Sequence, residues 1–340
     1  MGRDPYYDNL KGLLIVLVVV CHFLGGCLVK DDDILRSFVL FIYFFHMPLF
    51  IFISGYFSKN VDKCRATAFS DLFLVFIIAQ IFWVIFKYLT NGSVYYIEHF
   101  LDPGYALWYI VSLFFWRFFL KDIIKLRFAL GLSFLISPLI MFLSGSEMTL
   151  AINKTVGFLV FFLLGYYAST ETIDKIRRFP KYVALPLLFL IFAGVTVLLK
   201  NDLISYGIVK GVLMHTKTMD GFANVWLGLG AYYGAILLAL LCGVLVLAAI
   251  PEKKTLLSAI GQDTLPLYLS HTYFLILCGI LLEKISLPHG LECGISLAIC
   301  LGVITVFSIE PYRRVFNGVY RRLIQWIYPC YPPKKSKTTE

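Results

Sequence analysis

Asp8, Lys11 and His22 stand in the stretch DNLKGLLIVLVVVCHFLGG, which runs from Asp8 to Gly26 and is otherwise almost entirely apolar. On an α-helix, Lys11 and His22 fall within about 20° of one face and roughly 16 Å apart along the axis, with Asp8 one turn before Lys11. One face thus carries a carboxylate, an ammonium at its mouth and an imidazole deep in apolar surroundings. Imidazole exchanges a proton near neutral pH, so it can take the proton of a hydroxyl. A cation some 16 Å away could hold the phosphates of a long anionic cosubstrate, and a pantetheine arm has about the length to bring a thioester to the imidazole. Ionisable groups at such depth are costly and usually face a cavity, a pathway or a partner.

The element that positions these groups has to be a membrane span. The chain has 340 residues, 59% hydrophobic and 15% charged, with a mean hydropathy of +0.81. Soluble domains carry about 25% charged residues, so the composition predicts an all-α polytopic membrane protein. About ten apolar runs reach or approach the ~20 residues that cross a bilayer: 10–29, 38–57, 70–90, 105–120, 128–145, 154–170, 182–199, 228–250, 264–282 and 292–309. The N-terminal MGRDPYYD lacks a basic n-region and no small-residue cleavage site follows the first run, which therefore reads as a permanent span. With both termini in the cytoplasm, most of the 30 Lys and Arg fall on internal segments, as the positive-inside rule requires.

Residues 1–310 form the expected membrane domain and 311–340 a basic cytoplasmic tail. The tail segment PYRRVFNGVYRRLIQWIYP either lies as an amphipathic helix on the inner leaflet or is held there by charge bias alone. The net charge of +9 is then a matter of topology, and no nucleic-acid partner is expected. Eight cysteines, Cys21, Cys27, Cys64, Cys242, Cys278, Cys293, Cys300 and Cys330, form no CxxC pair. Most lie in apolar runs and read as small buried hydrophobes; no metal site is expected.

Each polar residue also has a plainer role. Lys11 serves equally as a topology anchor and Asp8 as its local partner, while His22 can simply hydrogen-bond a neighbouring helix. His46, near the outer end of the second span, positions an acceptor or stacks among Phe44, Phe45 and Phe50. Pro48 kinks that span, and Ser54, Gly55 and Tyr56 suit close helix approach. Trp108 and Tyr109 fit an outer aromatic belt or a wall on which a sugar stacks. His271 divides between a cavity wall and helix packing, and Asp263 is a candidate helix cap. There is no Walker A sequence, dinucleotide fingerprint or H-E-x-x-H. No serine stands in a strained elbow, which favours direct base-assisted transfer over a serine acyl-enzyme.

The pattern D-x-x-K-G followed by an aliphatic run and His22 resembles the first helix of the acyltransferase-3 family of integral membrane O-acyltransferases. That family more often has arginine where this chain has Lys11, which lacks the bidentate fork. FFHMPLFIFISGYFSK (Phe44 to Lys59) resembles the family's second helix, in the version of the fucose 4-O-acetylase-type branch. ALWYIVSLFF (Ala106 to Phe115), FFLLGYYA (Phe161 to Ala168) and IGQDTLPLYLSHTYF (Ile260 to Phe274) are similar to later segments, in order, so the resemblance runs from Asp8 to about Ile309. It implies an O-acyltransferase, acetyl being the usual group, that takes an acyl group from cytoplasmic acyl-CoA as cosubstrate, without a prosthetic group. The acceptor would be a hydroxyl of a saccharide or another exported molecule. By that resemblance His22 is the essential histidine and Lys11, with Asp8 beside it, the essential basic residue. His46, Ser54, Trp108, Tyr109 and His271 are candidates for substrate binding. The runner-up is a secondary transporter or flippase for a polar small molecule, although no repeated halves with matching helix breaks are visible. A sensor or scaffold with a purely structural His22 is a third reading.

Overall fold

A computed structural model describes residues 3–25, 32–142, 149–285 and 288–330. They form helices joined by turns and loops, with no strand among the described residues. The first half comprises α1 (Pro5–Phe23), α2 (Asp33–Tyr56), α3 (Val61–Ala68), α4 (Leu74–Asn91), α5 (Tyr95–Glu98), α6 (Trp108–Ile123), α7 (Ala129–Ile136), α8 (Ile152–Gly157) and α9 (Leu159–Tyr167). The second half comprises α10 (Thr170–Arg177), α11 (Lys181–Lys200), α12 (Tyr206–Leu213), α13 (Val225–Ala249), α14 (Leu256–Gly261), α15 (Leu265–Glu283), α16 (His289–Ser308) and α17 (Glu310–Ile327). A π-helical turn joins α3 and α4 into one rod.

Seven of these helices are long and apolar enough to cross a membrane: Pro5–Phe23, Asp33–Tyr56, Val61–Asn91, Lys181–Lys200, Val225–Ala249, Leu265–Leu282 and Gly290–Ser308. The pair Thr149–Gly157 and Leu159–Tyr167, bent by 53°, makes an eighth if counted as one broken span. The other two apolar runs of the sequence fall short: α6 has 16 residues, and α7 passes into a 3-10 turn at Ser137–Phe142. Residues 310–327, at the start of the expected tail, form a helix packed on the bundle. α17 turns Tyr312, Phe316, Tyr320 and Leu323 onto the core, while Lys334, Lys335 and Lys337 lie outside the described residues, as does Cys27.

Local sequence explains where the helices begin. Asp4 accepts from the Tyr6 amide at 2.9 Å and Pro5 takes the first helical position of α1. Asp32 accepts from the amides of Ile34 and Leu35, and Thr255 and Ser258 form a capping box that opens α14. Each cap is worth about 1 kcal/mol and stops the helix fraying where it leaves the core.

Two glycine-lined crossings set how closely the helices approach. Where α1 meets α14, a Cβ on Gly12 would stand 2.0 Å from the Leu257 carbonyl oxygen, and one on Gly261 would stand 1.8 Å from the Asp8 oxygen. Where α2 meets α9, the same holds for Gly55 against Phe162 and Gly165 against Phe52, at 1.9 and 1.8 Å. In an apolar medium no hydrophobic force drives helices together, so such backbone contact supplies much of the association. Polar rivets complete the first crossing. Asn9 donates to the Pro251 and Lys253 carbonyls at 2.8 and 2.7 Å and accepts from Thr255 at 2.6 Å, and the Tyr6 hydroxyl donates to Leu247 at 2.8 Å.

The basic segments expected to be internal meet one another through ion pairs. Arg177 joins Asp4 and Glu252, each at 3.3 Å, while Lys121 pairs with Asp62 at 2.7 Å and Arg65 with Asp122 at 2.8 Å. Exposed pairs like the last two add at most about 1 kcal/mol each; they orient the surface rather than hold the fold. The crossings do the holding. Gly261→Val should therefore lower stability by about 3 kcal/mol or more, because backbone and not a flexible side chain blocks the new Cβ. Gly302→Val, with open space around its Cβ, should change stability little. Thermal unfolding in detergent compares the two, and equal midpoints would refute the claim.

Candidate active site

The imidazole of His22 meets that of His271, from α15, with Nδ1 and Nε2 2.8 Å apart and ring planes 12° from parallel. Hydrogen-bonding capacity fixes the direction of this pair. His271 Nδ1 lies 3.1 Å from the Leu267 carbonyl, which can only accept, so Nδ1 carries a hydrogen. A neutral His271 then has a bare Nε2, and His22 must donate to it from Nδ1. The lone pair of His22 Nε2 is what remains. His271 is fully buried, whereas His22 keeps part of its surface open. The buried His271 ring thus orients the His22 ring.

A loop covers this pair. Tyr105 meets the His22 ring edge-on at 4.9 Å, and its backbone sits at φ +39°, a strained value for a residue with a Cβ. Gln80, fully buried in α4, holds the loop in place. Its amide donates to the carbonyls of Phe100 and Asp102 at 3.0 and 2.8 Å, and its oxygen accepts from the Gly104 amide at 2.9 Å. Gly104 lies so close under Trp83 that a Cβ would come within 2.2 Å of the indole. From the other side the Tyr268 hydroxyl donates to the Ala106 carbonyl. One side chain from α4 and one from α15 thus carry the polar backbone of a loop pressed into the bundle.

The other expected residues divide. Ser54 and Tyr109 join each other, hydroxyl to hydroxyl at 2.6 Å, and the Tyr109 ring lies 5.8 Å from Tyr268, which in turn lies 6.0 Å from His271. These residues form one row leading to the pair. Trp108 does not sit in an outer aromatic belt: it is buried, stacked on Phe158 at 5.4 Å and approached by the Lys154 ammonium at 5.3 Å. Tyr109 is buried as well. Both rings face the bundle because α6 begins inside it, below the loop that Gln80 holds. His46 is buried too and donates back to the Ile42 carbonyl of its own helix at 2.8 Å, beside Tyr43. No hydrogen bond joins it to His22 among the described residues.

At the other end of the same face, Asp8 is buried and takes Lys11 at 3.0 Å on one oxygen and Arg3 at 2.6 Å on the other. Arg3 also donates to the Gln262 carbonyl at 2.6 Å. Asp8 is therefore a clamp that aims two cations at the mouth of α1. Asp263 accepts from Asn317 rather than capping a helix through its own side chain. Among the described residues no group of three or more His, Cys, Asp and Glu has the geometry to hold a metal ion.

Sequence reasoning missed Gln80, Tyr105 and Tyr268. Gln80 had a signal, being a lone amide in the apolar run LVFIIAQIFWVI, and polar side chains at that depth mark function by default. Tyr268 lies within the segment IGQDTLPLYLSHTYF, three residues before His271, and nothing local announces the backbone twist at Tyr105. Gln80→Leu removes the partner of three backbone groups, the buried Gly104 amide and the half-buried Phe100 and Asp102 carbonyls, at up to about 1–3 kcal/mol each. It should expose the amides of residues 99–107 to solvent exchange, read by deuterium uptake; unchanged protection there would show that Gln80 does not hold the loop.

The family described as acyltransferase domain matches residues 4–309, from the N-terminal cap of α1 to the end of α16. The nodulation protein NolL of Sinorhizobium fredii is 38% identical over 88 residues, 24% of this chain and 24% of that protein. NolL of Mesorhizobium japonicum is 31% identical over 97 residues, 27% of this chain and 26% of that protein. The chain thus matches about a quarter of the length of these curated relatives. No solved structure shows a significant match. The match over nearly the whole helical bundle, with both histidines inside it, means that the chain belongs to the acyltransferase domain family.

Proposed function

We propose that this protein is a multi-pass O-acyltransferase of the cell membrane that moves an acyl group, acetyl being the simplest, from acyl-CoA to a hydroxyl of a saccharide. The observation that carries the reading is the His22 ring, paired with and oriented by His271 within a family-matched bundle whose first helix also presents Lys11 at its mouth. The stretch HMPLF in α2, in the version of the fucose 4-O-acetylase-type branch, supports a sugar acceptor. The face rich in Lys and Arg is the cytoplasmic one, with both termini there, which brings Lys11 and Arg3 to the side where acyl-CoA is made.

The chemistry needs one base. His22 Nε2 takes the proton of the acceptor hydroxyl as its oxygen attacks the thioester carbonyl. The C–S bond then breaks, and the proton passes from His22 to the leaving thiolate, so an ester and free CoA thiol result. His271 keeps the reacting nitrogen bare by accepting from the other one. Lys11 attracts the phosphates of the donor, with Asp8 setting its direction, and the pantetheine arm covers the roughly 16 Å to His22. Ser54 and Tyr109 lie in the row leading to the pair and contribute to the acceptor's wall, with Trp108 and His46 behind it. No metal or prosthetic group is called for by this scheme.

The test is release of CoA thiol from acetyl-CoA by the protein in nanodiscs, with a pool of sugars as acceptors. His22→Ala should lower kcat about 10²–10⁴-fold, the usual contribution of a general base, while thermal unfolding shows the variant folded. Lys11→Ala should chiefly raise KM. A folded His22→Ala enzyme of undiminished rate would contradict the proposal.

A further inference from the structure

α17 begins where the family match ends, and its polar face borders a cavity of about 420 Å³. Glu310, Arg313, Arg314, Asn317, Gly318 and Arg321 line one side, at the spacing of a single helix face. Arg3, Gln262 and Asp263 close the other. The apolar face of α17, with Tyr312, Phe316, Tyr320 and Leu323, packs on the core, so the arginine stripe points at this cavity rather than at lipid.

The charges in the cavity do not cancel. Its two carboxylates are already engaged, Glu310 with Arg314 at 2.7 Å and Asp263 with the Asn317 amide at 2.5 Å. Arg313 uses one of its nitrogens on the Ala259 carbonyl at 2.9 Å and has further donors to give. Arg321 has no hydrogen bond or ion pair among the described residues, and a Cβ on Gly318 would meet open space. Arg3 and Arg314 are paired with Asp8 and Glu310, which leaves Arg313 and Arg321 without a carboxylate partner among the described residues, and two such guanidiniums around an open floor suit an organic phosphate. The cavity is also joined to the reaction face, since Arg3 lines it and grips Asp8, which grips Lys11.

We infer that this cavity binds the 3′-phosphorylated nucleotide of the acyl-CoA donor, with Arg313 and Arg321 on the 3′-phosphate. Resting on the acyltransferase reading, this adds a separate seat for the nucleotide, built mainly by α17, which follows the family-matched region. Lys11 then holds the pyrophosphate between that seat and His22.

Steady-state kinetics with two donors test it in nanodiscs of defined lipid. In the wild type, acetyl-dephospho-CoA, which lacks the 3′-phosphate, should show a KM roughly ten-fold above that of acetyl-CoA, about what one charged hydrogen bond supplies. Arg321→Ala should raise the KM for acetyl-CoA by a similar factor with kcat unchanged, and should erase the difference between donors. Arg322→Ala removes the same charge from the same helix outside the cavity and should preserve that difference. The donor comparison in the wild type needs no variant and so does not depend on folding. Equal KM values for the two donors, with Arg321→Ala behaving as Arg322→Ala, would overturn the nucleotide seat and leave the acyltransferase standing. Dependence of rate on anionic lipid, with no donor preference, would assign the cavity to a lipid headgroup and overturn it too. If acetyl-CoA were neither bound nor consumed, both proposals would fall together.

Discussion

The hydrogen bond between His22 and His271 joins the first helix to the fifteenth, and most of the architecture serves to make it. Two imidazoles at 2.8 Å demand that α1 and α15 run side by side with little tolerance. That closeness is prepared one step earlier in the chain. α14 lies against α1 across Gly12 and Gly261, Asn9 and Tyr6 fasten its neighbourhood, and α15 starts immediately after it. A side chain at either glycine would force the backbones apart and carry His271 away from its partner. Packing at the base of α1 and the histidine pair near its other end are therefore one problem.

The second constraint is the cost of unpaired polar backbone in an apolar medium, several kcal/mol for each group. A loop pressed against His22 is tolerable only if its carbonyls and amides find partners within the protein. Gln80 and Tyr268 provide them. The same logic explains why α6 is short and α8–α9 bent: elements that border an internal site need not be straight spans. Strain at Tyr105 is sustainable in such a setting because its neighbours on both sides are fixed.

Much of this was legible in the sequence, and the limits of what was legible have physical causes. Hydropathy and helical spacing predict an all-helical chain, its long spans, and the common face of Asp8, Lys11 and His22. Each of these depends on local chain properties alone. The branched path of the shorter helices was not legible, since length by itself does not distinguish a span from a broken pair. His271 stood out as a buried histidine, but its pairing with His22 across 249 residues is a tertiary fact. The burial of Trp108, and the docking of α17 on the core, likewise depend on neighbours distant in sequence. Gln80 was the recoverable omission: one amide among aliphatics carries as strong a signal as a histidine does.

The central claim is that His271 holds His22 in the tautomer that leaves Nε2 bare. Nitrogen-15 spectra of the histidine-labelled protein at neutral pH measure this directly, with assignments made from His22→Ala and His271→Ala. The account predicts a neutral His22 protonated on Nδ1, with a shift of that nitrogen when His271 is removed. A His22 protonated on Nε2, or one indifferent to the loss of His271, would contradict it.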